Sequence, residues 1–393
     1  MSSKNKKIMV MAGEISGDLY GYPLLVEIKK KYPDFEICGV GGPKMKSAGM
    51  SLFYDSSSWG TIGLIEAFKK LPYLYFVYYD VSKKLREIKP DLLVLIDYPG
   101  FNMRLCRYAK KLGIPTLYYF PPSKWSYNPE DVIDAARNIT KVVAPFKHTA
   151  DVYKKAGADV EFVGNPLLEI VKPSMPVNEL KKKYNIKDGE KIISLLPGSR
   201  SMEVKYMLPM LVKTAGLISQ KLPGSRFIMP VSSSTISKGT GITMEYIKYQ
   251  INSGTAKIDI ELDTTYDIFA ISDFSIITSG TATLEAACLG VPMAIIYKVS
   301  FLTEIFARSI TKLPEYFGLP NLILNREVVP ELIQHNFSPE IVCNKVIEIL
   351  NSPEKIADIK NNLAEVIKTL GEPGATTKVS ELILKMVNNE NER

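Results

Sequence analysis

Two doubly wound α/β units are the fold class that this chain of 393 residues predicts. Three observations carry the reading: short apolar runs alternate with amphipathic stretches, the runs fall into two series, and a proline-rich break separates them. Continuous rather than alternating hydrophobicity marks strands covered on both faces, as in parallel sheets flanked by helices. The first series is Lys7–Ala12 (KIMVMA), Leu92–Ile96 (LLVLI), Thr116–Phe120 (TLYYF) and Lys141–Ala144. The second is Lys191–Leu196 (KIISLL), Arg226–Val231 (RFIMPV), Phe274–Thr278 (FSIIT) and Met293–Tyr297 (MAIIY). Between them Asn165-Pro166, Pro173 and Pro176 interrupt the pattern, and Asn351-Ser-Pro later precedes a helical stretch. The expected domains are therefore 1–170, 171–352 and a terminal helical region 353–393, with no fixed-period repeat. Two such α/β domains facing each other across a cleft bind ligands at the carboxyl ends of their strands.

Composition narrows the function classes. With 46% hydrophobic and 23% charged residues, 25 Gly and 25 Pro, the chain is neither disordered, collagen-like nor a coiled coil. The longest uncharged runs, Leu112–Ser123 and Ala286–Tyr297, reach 12 residues. A membrane span needs about 18, so none is expected. A net charge of +7 suits nucleic acid, anionic lipid surfaces or phosphorylated metabolites, but no Lys/Arg block is dense enough to favour nucleic acid. The basic opening and short apolar stretch Ile8–Ala12 read as a first strand rather than a signal peptide. Cys38, Cys106, Cys288 and Cys343 lie far apart and read as reduced, mostly buried thiols of a cytoplasmic protein. That spacing, with only His148 and His335, gives no zinc site, and no Asp-x-Asp clamp for a metal-bound phosphate is present.

Chemistry is expected where the strands end. The first strand runs into Gly13-Glu-Ile-Ser-Gly-Asp18, with Gly21 a turn further on, and Gly39-Val-Gly-Gly-Pro43 follows the expected second strand. These glycines allow close backbone approach to a ligand, and serve plain turn chemistry equally well; they do not form the dinucleotide fingerprint. Leu92–Ile96 ends at Asp97, then Tyr-Pro-Gly-Phe-Asn102. A carboxylate there is placed to act as a general base, or to cap the next helix.

In the second half, Leu195-Leu-Pro-Gly-Ser-Arg200 leaves a strand, with Glu203 in the following turn. Gly198 lets backbone approach an anion and Arg200 offers a bidentate phosphate fork; a surface turn with a solvated Arg is the alternative. Thr278-Ser-Gly-Thr-Ala-Thr-Leu-Glu285 repeats the arrangement. Ser279, Gly280 and Thr281 suit a diphosphate, and Glu285 could accept the hydroxyls of a ribose, although an N-cap explains Ser279 and Thr281 as well. Two anion-suited loops in one half favour a nucleotide diphosphate, and the absence of a P-loop disfavours ATP hydrolysis.

The segment Phe68-Lys-Lys-Leu-Pro-Tyr-Leu-Tyr-Phe-Val-Tyr-Tyr79 sets two lysines in a run of aromatic and leucine residues. A buried helix is the expected place for most of these side chains; a membrane interface is the alternative.

Together the motifs resemble the lipid-A-disaccharide synthase family, inverting glycosyltransferases of the GT-B fold. The matching segments are Ala12–Asp18, Gly41-Gly-Pro43, Gly63-Leu-Ile-Glu66, Lys89-Pro-Asp91, Ile96–Asn102, Pro122-Ser-Lys-Trp125 and Phe162-Val-Gly164. Leu195–Arg200, Ser279–Ala282 with Glu285, Leu319-Pro-Asn-Leu322 and Arg326-Glu327 continue the series. The resemblance implies transfer of a sugar from UDP-2,3-diacylglucosamine to 2,3-diacylglucosamine 1-phosphate, giving a β-1,6-linked disaccharide and UDP, with no cofactor and no metal. It makes Asp97 the general base and has Arg200 offset charge on departing UDP, while Ser279, Gly280, Thr281 and Glu285 hold diphosphate and ribose. Gly198, Ser199 and Asn321 would line the donor site; Gly13, Glu14, Ser16, Gly17, Asp18, Asn102, Ser123 and Trp125 complete the substrate-binding set. It further implies a cytoplasmic enzyme touching the inner membrane surface through residues 68–79, without nucleic acid, and allows a homodimer.

Three departures fall in the first half. Gly100 stands where the family has Asp, Pro121–Asp131 differs from its Ser-Pro-Ser-Val-Trp-Ala-Trp stretch and the basic residues after it, and Asn165 replaces His. They leave room for another lipid or glycan acceptor. A UDP-N-acetylglucosamine 2-epimerase and a sugar-nucleotide-binding protein without catalysis are the remaining alternatives.

Overall fold

The computed structural model describes residues 6–57, 59, 64–122, 129–233, 235–236, 242–298 and 315–389. The chain divides into two compact units, Met1–Thr61, Ile65–Glu169 and Leu370–Arg393 forming unit 1, and Ile62–Leu64 with Ile170–Thr369 forming unit 2.

In unit 1 seven described strands form a parallel sheet: β1 (Lys7–Ala12), β2 (Glu36–Gly41), β3 (Ser51–Asp55), β4 (Leu92–Ile96), β5 (Thr116–Tyr119), β6 (Lys141–Ala144) and β7 (Val160–Phe162). Their order is β3-β2-β1-β4-β5-β6-β7, so the chain reverses direction across the sheet between β1 and β4. Every residue of β4 is fully buried, as its unbroken LLVLI run requires. β5 stops one residue short of the expected end because Phe120 turns left-handed, with φ 54°.

Unit 2 repeats the plan with β8 (Lys191–Leu196), β9 (Ser225–Val231), β10 (Ile258–Leu262), β11 (Phe274–Thr278), β12 (Met293–Tyr297) and β13 (Glu331–Ile333), ordered β10-β9-β8-β11-β12-β13. The switch lies between β8 and β11, where the fully buried hydroxyls of Ser194 and Ser275 hydrogen-bond across the ladder. A second tie joins the strand ends: Thr278 Oγ1 donates to the Leu196 carbonyl at 2.9 Å.

The stretch 353–393, expected as one helical region, is divided. Helix Pro353–Thr369 belongs to unit 2, whereas helix Ala375–Asn389 returns to unit 1. Gly371 (φ 85°) and Gly374 (φ 107°) make the turn between them. Ala375, Val379, Ile383 and Val387, four residues apart on one helical face, are fully buried. Glu169 caps this helix, accepting from the Gly374 and Thr376 amides at 2.9 and 3.2 Å.

Residues 68–79 correct an expectation. They lie on helix Leu64–Ile88, but Leu71, Tyr73, Tyr75, Phe76 and Tyr79 are 47–70% exposed. Val77 is fully buried, with Leu74 and Tyr78 packed against the core; one stripe of the helix suffices for that contact and the remaining aromatics face outward.

Candidate active site

Ala12 is in register with Ile96, so the segments after β1 and β4 leave the sheet side by side at the switch point. Asp97 (φ 50°) and Tyr98 (φ 49°) are both left-handed. For non-glycine residues each such conformation costs about 1–3 kcal/mol and persists only where neighbours impose it. Here they do. The Asp97 amide donates to the Tyr119 carbonyl at 3.1 Å, and its own carbonyl accepts from Asn102 Nδ2 and the Tyr118 hydroxyl, each at 2.8 Å. The turn aims the carboxylate at the Gly13–Ser16 loop, where the Ser16 hydroxyl donates to Asp97 Oδ2 at 3.3 Å.

Gly13 is required at this junction. A Cβ there would lie 2.1 Å from Cγ of Tyr98, whose ring therefore rests on bare backbone. Trp59 packs beside it, with ring centroids 5.8 Å from Tyr98 and 5.7 Å from Phe101. Burial, reinforced by the Glu14 carboxylate, pushes the Tyr98 phenol up to about 12, so it remains a neutral donor.

Other residues expected to bind substrate serve as framework. Asp18 is 6% exposed and accepts from the amides of Gly42, Lys44 and Met45 at 2.8–3.1 Å. Its carboxylate brackets the loop after β2. Gly17 packs directly on Ala12. Asn102, 1% exposed, donates to the carbonyls of Met11, Ile96 and Asp97, clamping the two strand ends. Ser123 and Trp125 lie outside the described residues.

In unit 2 the two anion-suited loops differ. Gly198 (φ 103°) lets the chain fold over Glu203; a Cβ there would come within 2.6 Å of that side chain. Glu203, 5% exposed, accepts from the Ser199 and Arg200 amides at 3.0 and 3.1 Å through Oε2, and pairs with Arg200 Nη1 at 3.0 Å through Oε1. The start of helix Ser201–Lys221 thus already holds an internal carboxylate. Ser199 offers its amide inward, and Arg200 is steered by Glu203. Burial, with Glu203 nearby and Arg200 opposing, pushes Tyr297 up to about 12.

The second loop remains open. Ser279 is fixed at both ends, its amide to the Ile296 carbonyl at 3.0 Å and its hydroxyl to the Phe317 carbonyl at 3.0 Å. A Cβ on Gly280 would meet nothing within 4 Å, and helix Thr281–Cys288 begins immediately after it. The first amides of a helix have no partner within it, so Thr281 and Ala282 present donors at this open end. One turn on, Glu285 hydrogen-bonds the Tyr266 hydroxyl; burial, then this carboxylate, raises the Tyr266 pKa. Burial and Glu285 likewise push the Cys288 thiol up to about 12.

Asn321, expected at the donor site, is fully buried. Its amide nitrogen donates to the Val329 carbonyl and Glu331 Oε1, both at 2.8 Å, while its oxygen accepts from the Val328 and Val329 amides at 2.7 and 3.0 Å. Every polar position is occupied, so Asn321 shapes the loop before β13 instead of presenting a side chain to a ligand. Glu331 finishes that bracket by accepting from the Phe317 and Gly318 amides at 2.9 and 2.8 Å. Sequence reasoning missed Tyr118, Tyr266 and Glu331; each is a single polar side chain in an otherwise ordinary strand or helix, and no local motif marks it. Among the described residues no group of three His, Cys, Asp or Glu side chains could hold a metal ion.

The family model described as lipid-A-disaccharide synthetase matches residues 8–387. A lipid-A-disaccharide synthase of Geobacter metallireducens is 33% identical over 389 residues, spanning 99% of both chains. That of Trichlorobacter lovleyi is 34% identical over 382 residues, 97% of this chain and 98% of its own. Among solved structures, UDP-GlcNAc 2-epimerase from Neisseria meningitidis bound to UDP-GlcNAc superimposes with a TM-score of 0.59 at 13% identity, covering 97% of this chain and 100% of its own. MurG from Acinetobacter baumannii gives 0.55 at 14% identity, covering 97% and 99%. At such identities these two speak for the fold alone, the α/β architecture of GT-B glycosyltransferases. Matched along almost its whole length, the chain belongs to the lipid-A-disaccharide synthetase family.

Proposed function

We propose that the chain transfers 2,3-diacylglucosamine from its UDP derivative to the 6-hydroxyl of 2,3-diacylglucosamine 1-phosphate. In this reading Asp97 removes the acceptor proton as its oxygen attacks the anomeric carbon, the bond to the UDP oxygen breaks, and configuration inverts. The open amides at Thr281 and Ala282 and the Arg200 guanidinium stabilise the departing diphosphate, and Glu285, held by Tyr266, accepts from the ribose hydroxyls. The observation that carries the reading is Asp97 itself: a strained carboxylate at a topological switch point, held by Asn102, Tyr118 and Tyr119 and touched by Ser16.

Both substrates carry acyl chains, and the outward aromatics of helix Leu64–Ile88 give such a protein an apolar face for a membrane surface. Among the described residues no helix is long and apolar enough to cross a membrane, so contact is peripheral in this reading. The test is UDP release from UDP-2,3-diacylglucosamine, with and without the acceptor, in the presence of chelator. Acceptor-dependent release with a disaccharide product is expected. Donor binding without turnover would move the search to another acceptor, beginning at Gly100 and Asn165.

A further inference from the structure

Two neighbouring strands of unit 1 end in the same way. β4 turns left-handed at Asp97 (φ 50°), and β5 turns left-handed at Phe120 (φ 54°). Ile96 and Tyr119 are partners in the ladder, and the Asp97 amide donates to the Tyr119 carbonyl at 3.1 Å. Asp97 and Phe120 therefore leave the sheet side by side, one strand spacing of about 5 Å apart. The turn at Asp97 aims a carboxylate. The turn at Phe120 has no part in proton removal, yet left-handed backbone is an outlier for so bulky a residue and persists only where its surroundings impose it.

Three aromatic residues fix the Phe120 ring. Tyr20 stacks on it, with centroids 3.9 Å apart and planes inclined by 10°. Phe146 meets it edge-on at 6.5 Å, and Tyr119 lies 4.7 Å away. Tyr20 is 5% exposed and forms the backing, whereas Phe120 is half-buried. A face covered at 3.9 Å admits no solvent, so the accessible part of the Phe120 ring is its other face and edge. Helix Ile15–Lys31 ties this ring to the base: Ser16 donates to Asp97 Oδ2 at 3.3 Å, and Tyr20, four residues on along the same helical face, carries the stack. A half-buried aromatic face, held in strained backbone one strand from a carboxylate, suits an apolar surface on the molecule that the carboxylate meets.

The acceptor has such a surface. Its 6-hydroxyl stands one carbon off the pyranose ring, so with that oxygen within about 3 Å of Asp97 the ring spans the next 5 Å or so, the distance to Phe120. The acyl groups leave from positions 2 and 3, across the ring. The C–H bonds on one face of a pyranose make it apolar there, and the negative face of an aromatic ring attracts them. We propose that Phe120, backed by Tyr20, is the platform against which the pyranose ring of the acceptor lies while Asp97 faces its 6-hydroxyl. The proposal rests on the transfer reading above and deepens it by adding a residue that positions the acceptor.

The test is steady-state kinetics of the full chain with UDP-2,3-diacylglucosamine and 2,3-diacylglucosamine 1-phosphate, together with calorimetric titration of the acceptor alone. Phe120→Leu keeps an apolar side chain but removes the flat face. It should raise the acceptor KM about five- to ten-fold, weaken the calorimetric affinity by the same factor, and leave the donor KM unchanged. Phe120→Tyr keeps the ring and should recover most of that affinity. Phe120→Asn, a residue that tolerates left-handed backbone, secures a folded variant without the ring and should lose at least as much as Phe120→Leu. A fall in kcat with the acceptor KM unmoved would overturn the proposal in favour of structural support for Asp97. Equal rises in both KM values would overturn it in favour of a donor contact or a general loosening. Unchanged kinetics in Phe120→Leu and Phe120→Asn, with wild type releasing UDP only when acceptor is present, would overturn the platform alone. Wild type without acceptor-dependent release would overturn the transfer reading and the platform with it.

Discussion

The two units end their central strands in opposite ways. After β4, unit 1 forces Asp97 and Tyr98 into left-handed backbone and holds them there with neighbouring side chains and a strand carbonyl. After β11, unit 2 places Gly280 before a helix and leaves the space around it open. A base must present one carboxylate at one angle, so rigidity is useful even at a conformational cost. A diphosphate is held by several backbone donors, which need only be unobstructed. Within unit 2 the contrast recurs: the loop at 198–203 is closed by Glu203, and the one at 279–285 is not.

The largest expected effect tests the rigid side. Asp97→Asn preserves the shape of the side chain but removes the proposed base, and turnover should fall about 10²–10⁴-fold while calorimetry finds UDP affinity nearly unchanged. A near-wild-type rate would remove Asp97 from its role.

Next comes the closed loop. Glu203→Ala removes the carboxylate that pairs with Arg200 Nη1 and leaves two amides without their acceptor. Misplacing a group that would offset leaving-group charge should drop kcat/KM roughly ten- to a hundred-fold; unchanged kinetics would mean that Arg200 needs no steering. Asn321→Ala should act on stability instead, because it orphans the Val328 and Val329 amides and uncouples Glu331. A loss of about 3 kcal/mol is expected, seen as a fall in Tm, with the KM for donor moving little at temperatures where the variant is folded. A large rise in KM without loss of Tm would return Asn321 to the donor site.

On the open side, Glu285→Gln should raise the donor KM about ten-fold and reduce discrimination between UDP and its 2′-deoxyribose analogue. Equal discrimination in wild type and variant would rule out a ribose contact. The smallest effect is expected from Gly100→Asp. A Cβ at Gly100 meets nothing within 4 Å, and the position lies in the first turn of helix Pro99–Lys111. Thermal unfolding should therefore report a gain of about 0.5–1 kcal/mol from helix propensity and dipole. A loss would mean that the added charge repels Asp97.

The sequence reading located interior strands and overlooked edges. β4, β5, β8 and β11 are apolar runs because helices cover both faces, and such runs are visible without any fold in mind. β3, β7, β10 and β13 are the outermost strands of the two sheets among the described residues, and none was identified. Their burial is partial, as in Ser51–Asp55 and Val160–Phe162, so no continuous apolar signal exists to be read. The aromatic stretch 68–79 misled for the converse reason: hydrophobicity there reflects outward exposure on one helix, which composition cannot distinguish from a core.

What the sequence determined by itself was the order of the interior strands, the positions of the strand ends that precede Asp97, Arg200 and Glu285 and, through the spacing of those residues among their motifs, the family. Only the tertiary structure decided which of the polar residues in those motifs are engaged internally. Asp18 reaches 24–27 residues along the chain to its partners, and Asn102 reaches 91 residues to Met11. It likewise decided that helix Ala375–Asn389 completes unit 1, where its buried stripe finds a surface in the first half of the chain. The physical reason is the same in both cases. A motif fixes which groups are present, but burial and hydrogen-bond saturation depend on neighbours that only folding brings within 3 Å or so of one another.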